Sequence, residues 1–252
     1  MKWALLSLLI FILSSATVNI QPNLERGMVA YYPFNGNVKD ASGHDNDPIF
    51  NNTRFVYDQY GKANSACYFN GIDNYIRVKN SASLCPDAIT LVAVVKPMGF
   101  YNGLCYNNSL IDKGAWDYRV GAYSLRYTAG EYTNGDCNDP SYEHQNFVGM
   151  TAMNGGSTSQ DIYVRLNNWY HVVYTYGNGY SRLYINGELI SSTSSKGRLG
   201  KNNEDLFIGK KDNEQYPYWF KGVIDEIRIY DRALKSAEVS ALYELRRNSN
   251  GE

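Results

Sequence analysis

The chain has 252 residues, with 24 Lys and Arg against 25 Asp and Glu and a formal net charge of −1. No Lys/Arg run supplies the basic face that a nucleic-acid surface needs to displace counterions, so nucleic-acid binding is excluded. Charged residues make up 19% against a usual value of about 25%, whereas Tyr reaches 23 residues, a balance that suits an extracellular β protein with ligand-contacting loops.

Residues 1–16 read as a secretory signal peptide. Lys2 supplies the positive start, residues 5–13 are almost wholly apolar, and Ser14-Ser15-Ala16 supplies small residues for cleavage. An apolar core of about ten residues is too short to span a bilayer, which takes about twenty. No later segment is apolar enough to span, and no Cys sits at the cleavage point to take a lipid. The expected product is soluble, secreted or extracellular, with one domain over residues 24–247.

Short β-rich runs follow one another at residues 28–34, 66–69, 75–78, 89–96 and 169–176, separated by Asn, Gly, Ser and Asp. Leu183-Tyr184-Ile185, Asn186-Gly187 and Glu188-Leu189-Ile190 predict a tight hairpin, because Asn-Gly accepts the positive φ angles of a type I′ turn. Residues 206–209 and 220–230 complete the series. A terminal helix follows, with Ser236 as its cap and Val239, Leu242, Tyr243 and Leu245 on its apolar side. Many short strands without alternating helices predict an all-β antiparallel two-sheet jelly-roll sandwich with a short C-terminal helix.

Residues 99–156 read as the least regular part. They hold Tyr101, Tyr106, Trp116, Tyr118, Tyr123, Tyr127, Tyr132 and Tyr142, rings suited to sugars or partner proteins. Trp219, beside Tyr216, Pro217 and Tyr218, is placed at a rim before the last strand. The bland reading of any one ring is core packing. Cys67, Cys85, Cys105 and Cys137 are an even set in an oxidising compartment, which allows three connectivities. Pairing of sequence neighbours, Cys67–Cys85 and Cys105–Cys137, is favoured, and their spacing fits no zinc pattern.

The closing run Val223-Ile224-Asp225-Glu226-Ile227-Arg228-Ile229-Tyr230 alternates like a strand. Regular alternation places Asp225 with Val223, Ile227 and Ile229, and Glu226 on the opposite face. A carboxylate among Val and Ile must be hydrogen-bonded, paired or metal-bound.

Several landmarks then match a known family in order: residues 29–37 followed by Asp40-Ala41-Ser42-Gly43, the step Phe69-Asn70-Gly71-Ile72-Asp73-Asn74-Tyr75-Ile76, the strand from Ile89 to Pro97, Trp169-Tyr170-His171-Val172-Val173, the hairpin, and residues 222–234. The chain thereby resembles the laminin-G-like jelly-roll domains of the concanavalin A-like lectin/glucanase superfamily. A Trp common in that third strand is Val94 here, and residues 99–156 are longer than usual. The resemblance implies a fold more than a reaction. It also implies that an acid placed like Asp225 binds a structural calcium ion, helped by backbone carbonyls near the first strand. The loop after that strand, with Asn35, Asn37, Asp40, Asp45 and Asp47, is rich in further oxygen donors, of which Asn35 and Asp40 are the candidates. The alternative is that Asp225 accepts backbone N–H bonds and that the Asx residues shape turns.

The retaining glucanases of this wider fold carry their acids on one strand face in an E-x-D-x-x-E or E-x-D-x-E pattern, and no such run occurs. Adjacent Asp225 and Glu226 are expected to point apart. There is no G-x-S-x-G elbow, P-loop or dinucleotide signature. His171 reads as an interior packing residue. The expectation is a secreted non-catalytic recognition module whose partner is a glycan. The alternative is a protein-binding adhesion or matrix domain or, less favoured, a polysaccharide hydrolase or lyase on the same fold.

Overall fold

The computed structural model describes residues 22–101, 107–114, 120–129, 145–151, 157–158 and 164–248. Residues 1–21, which include the expected signal peptide, and Cys105, Tyr106, Trp116, Tyr118, Tyr132, Cys137 and Tyr142 lie outside the described residues.

The strands run in order as β1 (Met28–Tyr32), β2 (Pro48–Asn51), β3 (Arg54–Val56), β4 (Ala66–Asn70) and β5 (Ile76–Val78). Then come β6 (Ile89–Pro97), β7 (Asn108–Lys113), β8 (Tyr123–Ala129), β9 (Gln145–Thr151) and β10 (Ser157–Thr158). The rest are β11 (Tyr170–Gly177), β12 (Tyr180–Ile185), β13 (Glu188–Ser194), β14 (Leu206–Ile208), β15 (Lys221–Tyr230) and the helix α1 (Ser236–Asn248). They form two antiparallel sheets. One has the order β13-β12-β11-β6-β15-β4-β3, with β1 also on β15; the other has the order β10-β9-β8-β7-β14-β5-β2. This is the expected two-sheet sandwich.

Alternation builds the core. Ile76 and Val78, Leu206 and Ile208, and Tyr123, Leu125 and Tyr127 point inward from the seven-stranded sheet, against Leu91, Ala93, Val95, Val172, Tyr174, Ile227 and Ile229 of the other. The opposite face of the eight-stranded sheet is apolar where α1 covers it: Val92, Val173, Tyr184 and Tyr230 pack on Leu234, Val239 and Leu242.

The β12–β13 hairpin forms with Asn186 at φ 51° and Gly187 at φ 83°, as Asn-Gly predicts. Three expectations need correction. The stretch 99–156 is not one irregular connection, because β7, β8 and β9 lie within it and form the middle of the seven-stranded sheet. Tyr123 and Tyr127 are accordingly core residues. Ser236 is inside the helix rather than its cap; its hydroxyl meets the Tyr184 hydroxyl at 3.1 Å, while Glu238 Oε2 accepts the Lys235 amide at 2.8 Å and closes the first turn.

The third correction concerns cysteine. Cys67 and Cys85 are free thiols, so the Cys67–Cys85 bridge is not formed. Cys67 points into the core from β4, where burial pushes its thiol up to about 12. Cys85 lies in the connection after β5, where its thiol contacts Asn202 O at 3.3 Å and Asn80 Oδ1 at 3.4 Å. The proposed Cys105–Cys137 pair falls outside the described residues.

Candidate functional site

The closing strand departs from regular alternation where it matters most. A β-bulge between Ile224 and Glu226 leaves Asp225 opposite no residue of β6: Ile224 pairs with Val95 and Glu226 with Val94. The extra residue moves Ile224, rather than Asp225, to the core side with Ile227 and Ile229. Asp225 and Glu226 therefore share one face, contrary to the expectation that adjacent residues point apart.

Arg246, from the last turn of α1, bridges them. Its Nη2 donates to Asp225 Oδ2 and its Nη1 to Glu226 Oε2, both at 2.8 Å. Glu226 also pairs with Arg228 at 2.8 Å and accepts the Tyr31 hydroxyl at 3.3 Å. Burial, eased by Arg246 and reinforced by Glu226 and Asp58, raises Asp225 to about 6. This knot floors a cleft of about 880 Å³, with Asn35, Tyr60 and Lys62 at its sides. Both carboxylates face arginines, which leaves neither as a free acid or base, and Lys62 Nζ donates to Asn35 Oδ1 at 3.2 Å.

The three calcium candidates do not fit that ion as arranged. Asp225 faces a guanidinium, which stands where a cation would be. Asp40 sits apart from the cleft and shapes a turn. Its Oδ1 accepts the Tyr31 and Ser42 amides at 2.9 Å, and its Oδ2 accepts the Ser42 hydroxyl at 2.9 Å and the Asn46 amide at 3.0 Å. Calcium wants about six to eight oxygens free to turn toward it. Among the described residues no group of three or more His, Cys, Asp or Glu side chains could hold a metal ion. His171 is buried under α1 against Tyr243, and burial, with Arg246 and Arg228 nearby, pushes it down to about 3.

A different arrangement occupies the outward face of the seven-stranded sheet. Because Ile76, Val78, Leu206 and Ile208 point inward, their neighbours Arg77 and Phe207 point out, paired across β5 and β14. Phe50 pairs with Arg77 from β2. Tyr75 stacks on Phe50 with ring centroids 4.5 Å apart and lies 6.0 Å from Phe207 and 5.9 Å from Trp219. Lys210 Nζ sits 5.0 Å from the Tyr75 centroid and 5.1 Å from those of Phe207 and Trp219. Arg77 is answered by Asp205 at 2.6 Å.

The same face continues over β7 and β8. There Arg126 and Asp112 pair at 3.2 Å, and the guanidinium lies 5.3 Å from the Tyr218 ring. The segment before β15 drapes Tyr218 and Trp219 across the sheet while Phe220 turns into the core. The result is a set in which Phe50, Tyr75 and Trp219 are partly exposed and Phe207 and Tyr218 are buried beneath them. The exposed rings, edged by charges, can stack on an apolar sugar face while the charges hydrogen-bond its hydroxyls.

Of the residues expected to bind ligand, Trp219 stands in this platform. Tyr101 is half-buried after β6, its amide donating to Asn108 Oδ1 at 2.9 Å. Tyr106, Trp116, Tyr118, Tyr132 and Tyr142 lie outside the described residues. Sequence reasoning missed Phe50, Tyr75, Phe207 and Lys210. The available signal was alternation, which turns Phe207 outward between Leu206 and Ile208; the pairing of β14 with β5 across 128 positions from Arg77 to Asp205 left no local trace.

In structural comparison the chain is similar to domain 4 of a GH43 extracellular arabinanase from Geobacillus stearothermophilus, solved in complex with arabinotriose. The two share 18% identity over 86% of this chain and 98% of that one, with a TM-score of 0.62. It is also similar to the binding domain of Paraclostridial Mosquitocidal Protein 1, at 20% identity over 89% of this chain and 53% of that one, TM-score 0.64. The binding domain of botulinum neurotoxin DC, solved with rat synaptotagmin II, matches at 12% identity over 88% of this chain and 52% of that one, TM-score 0.59. The chain thus spans about half the length of these two toxin structures, and at such identities the likeness is one of fold. No curated protein sequence matches significantly. No helix among the described residues is long and apolar enough to cross a membrane. The family model for the concanavalin A-like lectin/glucanase superfamily matches residues 69–240, and the chain belongs to that family.

Proposed function

We propose that this protein is a secreted, non-catalytic recognition module that binds glycans on the outward face of its seven-stranded sheet. The observation that carries the reading is the platform of Phe50, Tyr75 and Trp219, packed over the buried Phe207, with Lys210 and Arg77 at the rings. Flat rings set among a few fixed polar groups are the chemistry that sugars select. The arabinanase domain solved with arabinotriose has the same fold and supports the ligand class. Secretion is supported by the signal-like residues 1–16 and by the extracellular setting of that enzyme. Catalysis finds no support in the Asp225–Glu226 pair, because Arg246 and Arg228 hold both acids.

A protein partner is the second reading. It is favoured by the edge strand β2, where Ile49 is 57% exposed next to the platform's own Phe50, which is 40% exposed.

Glycan-array binding by the wild type and by Trp219→Ala and Tyr75→Ala variants tests the proposal. Each ring removed is expected to weaken glycan binding about 3- to 10-fold while the fold persists. Absence of any glycan signal, or glycan binding indifferent to both substitutions, overturns it. Retention of a protein partner after its deglycosylation favours the second reading.

A further inference from the structure

The charge at the centre of the platform is unusual in having no counterpart. Lys210 is half-buried, yet among the described residues it has no carboxylate at ion-pair distance and no hydrogen-bond acceptor; its contacts are the rings of Tyr75, Phe207 and Trp219. Half-burial among rings strips part of the ammonium's hydration with no anion in its place, and cation–π attraction offsets only part of that cost. Neighbouring charges do not close the gap. Asp205 is engaged by Arg77, through Nη2 at 2.6 Å and Nε at 2.7 Å, and also accepts the Asn80 amide at 2.8 Å. Asp112 is committed to Arg126. Asp212 and Glu214 act on Lys210 only through longer-range attraction, and Arg77 opposes its charge.

We propose that Lys210 is the anion-recognising group of this site, and that its ligand is an acidic sugar, one bearing a carboxylate or a sulfate ester. The proposal rests on the glycan-binding reading above and narrows it. An anionic group docked over Lys210 supplies the acceptor that the fold withholds, while the sugar ring lies against Tyr75 or Trp219. Burial lowers the proton affinity of Lys210, and an anion restores it, so binding strengthens the charge it uses. A neutral sugar gains the stacking but must share a cation that it only partly satisfies. A charge-assisted hydrogen bond is about twice as strong as a neutral one, which sets the expected preference.

The test is calorimetric titration of the full chain, at low and at physiological ionic strength, with three oligosaccharides of equal length: a neutral glucan, the same glucan ending in glucuronate, and an O-sulfated form. At least one acidic probe is expected to bind about tenfold more tightly than the neutral glucan, with the margin shrinking as salt rises. The tighter of the two acidic probes identifies the anion. Lys210→Met should bring the ratio of acidic to neutral affinity, taken within that variant, close to one, whereas Lys210→Arg should keep the ratio; thermal melts of both variants check that they fold. Equal binding of all three probes, still weakened by Trp219→Ala, overturns the acidic-sugar proposal and leaves glycan recognition standing. No binding of any probe, or binding insensitive to Trp219→Ala, overturns both.

Discussion

Asp225 carries a charge that the fold tolerates only because Arg246 faces it. Its carboxyl ordinarily titrates at 3.8, and burial raises it to about 6 despite that arginine. Between those values the folded chain holds more protons at this residue than the unfolded chain does. Stability from this group is therefore present below about pH 4 and lost as pH rises through 6, by up to about 3 kcal/mol. Asp225→Asn removes the dependence, so the variant should gain on the wild type as pH goes from 4 to 7, and melting temperatures of both across that range read the difference. Gly149 is a second single-residue constraint, of a steric kind. A Cβ built there would lie 2.0 Å from Tyr174 Cδ2, because the Tyr174 ring crosses the strand at that point. Both ends of the contact are fixed: Gly149 pairs with Leu125, and the Tyr174 hydroxyl meets Thr151 and Ser181. Gly149→Ala should cost about 1–3 kcal/mol of unfolding free energy, measured by denaturant titration.

At the scale of elements, the bulge in β15 shows why some of the molecule was legible and some was not. Strand identity follows from composition and period, which is why the Asn186-Gly187 hairpin, β6, β11 and β15 appear where residue patterns put them. A bulge adds one residue without changing composition, and it reverses the face of everything before it. That reversal took Asp225 out of the core and placed it beside Glu226, where period-two reasoning could not send it. The helix shows the same limit. Val239 and Leu242 are buried as the pattern predicts, but Leu245 is 52% exposed and Arg246 continues the buried stripe. Its aliphatic stem packs while its guanidinium reaches two carboxylates. Arg246→Met should thus remove about 3–5 kcal/mol, measured by denaturant unfolding, because Asp225 is left buried without its cation, while Glu226 keeps Arg228. Adding Asp225→Asn to that variant should recover part of the loss, since the cost lies in the orphaned charge rather than in the missing packing.

The whole molecule keeps its two polar centres on opposite outer faces. The Arg246 knot lies on the outward side of the eight-stranded sheet under α1, and the aromatic platform lies on the outward side of the seven-stranded sheet. Between them stands a core of fully buried side chains such as Phe69, Tyr123, Tyr174 and Phe220, with sheets stacked about 10 Å apart. The platform itself joins residues from the first and last thirds of the chain, Phe50 and Tyr75 with Phe207, Lys210 and Trp219, so its assembly depends on the sandwich closing and not on any local segment. A knot that fastens the helix should then matter for stability and be silent in recognition, with the reverse true of the rings. Arg246→Met should melt at lower temperature yet bind glycan with wild-type affinity below its transition, whereas Trp219→Ala should lose affinity with little change in melting. In the double variant the two effects should add to within about 0.5 kcal/mol, as for sites that share no contacts. A larger coupling, in either stability or affinity, would mean that strain at α1 passes through the core to the rings, and that the two sheets do not act as independent surfaces.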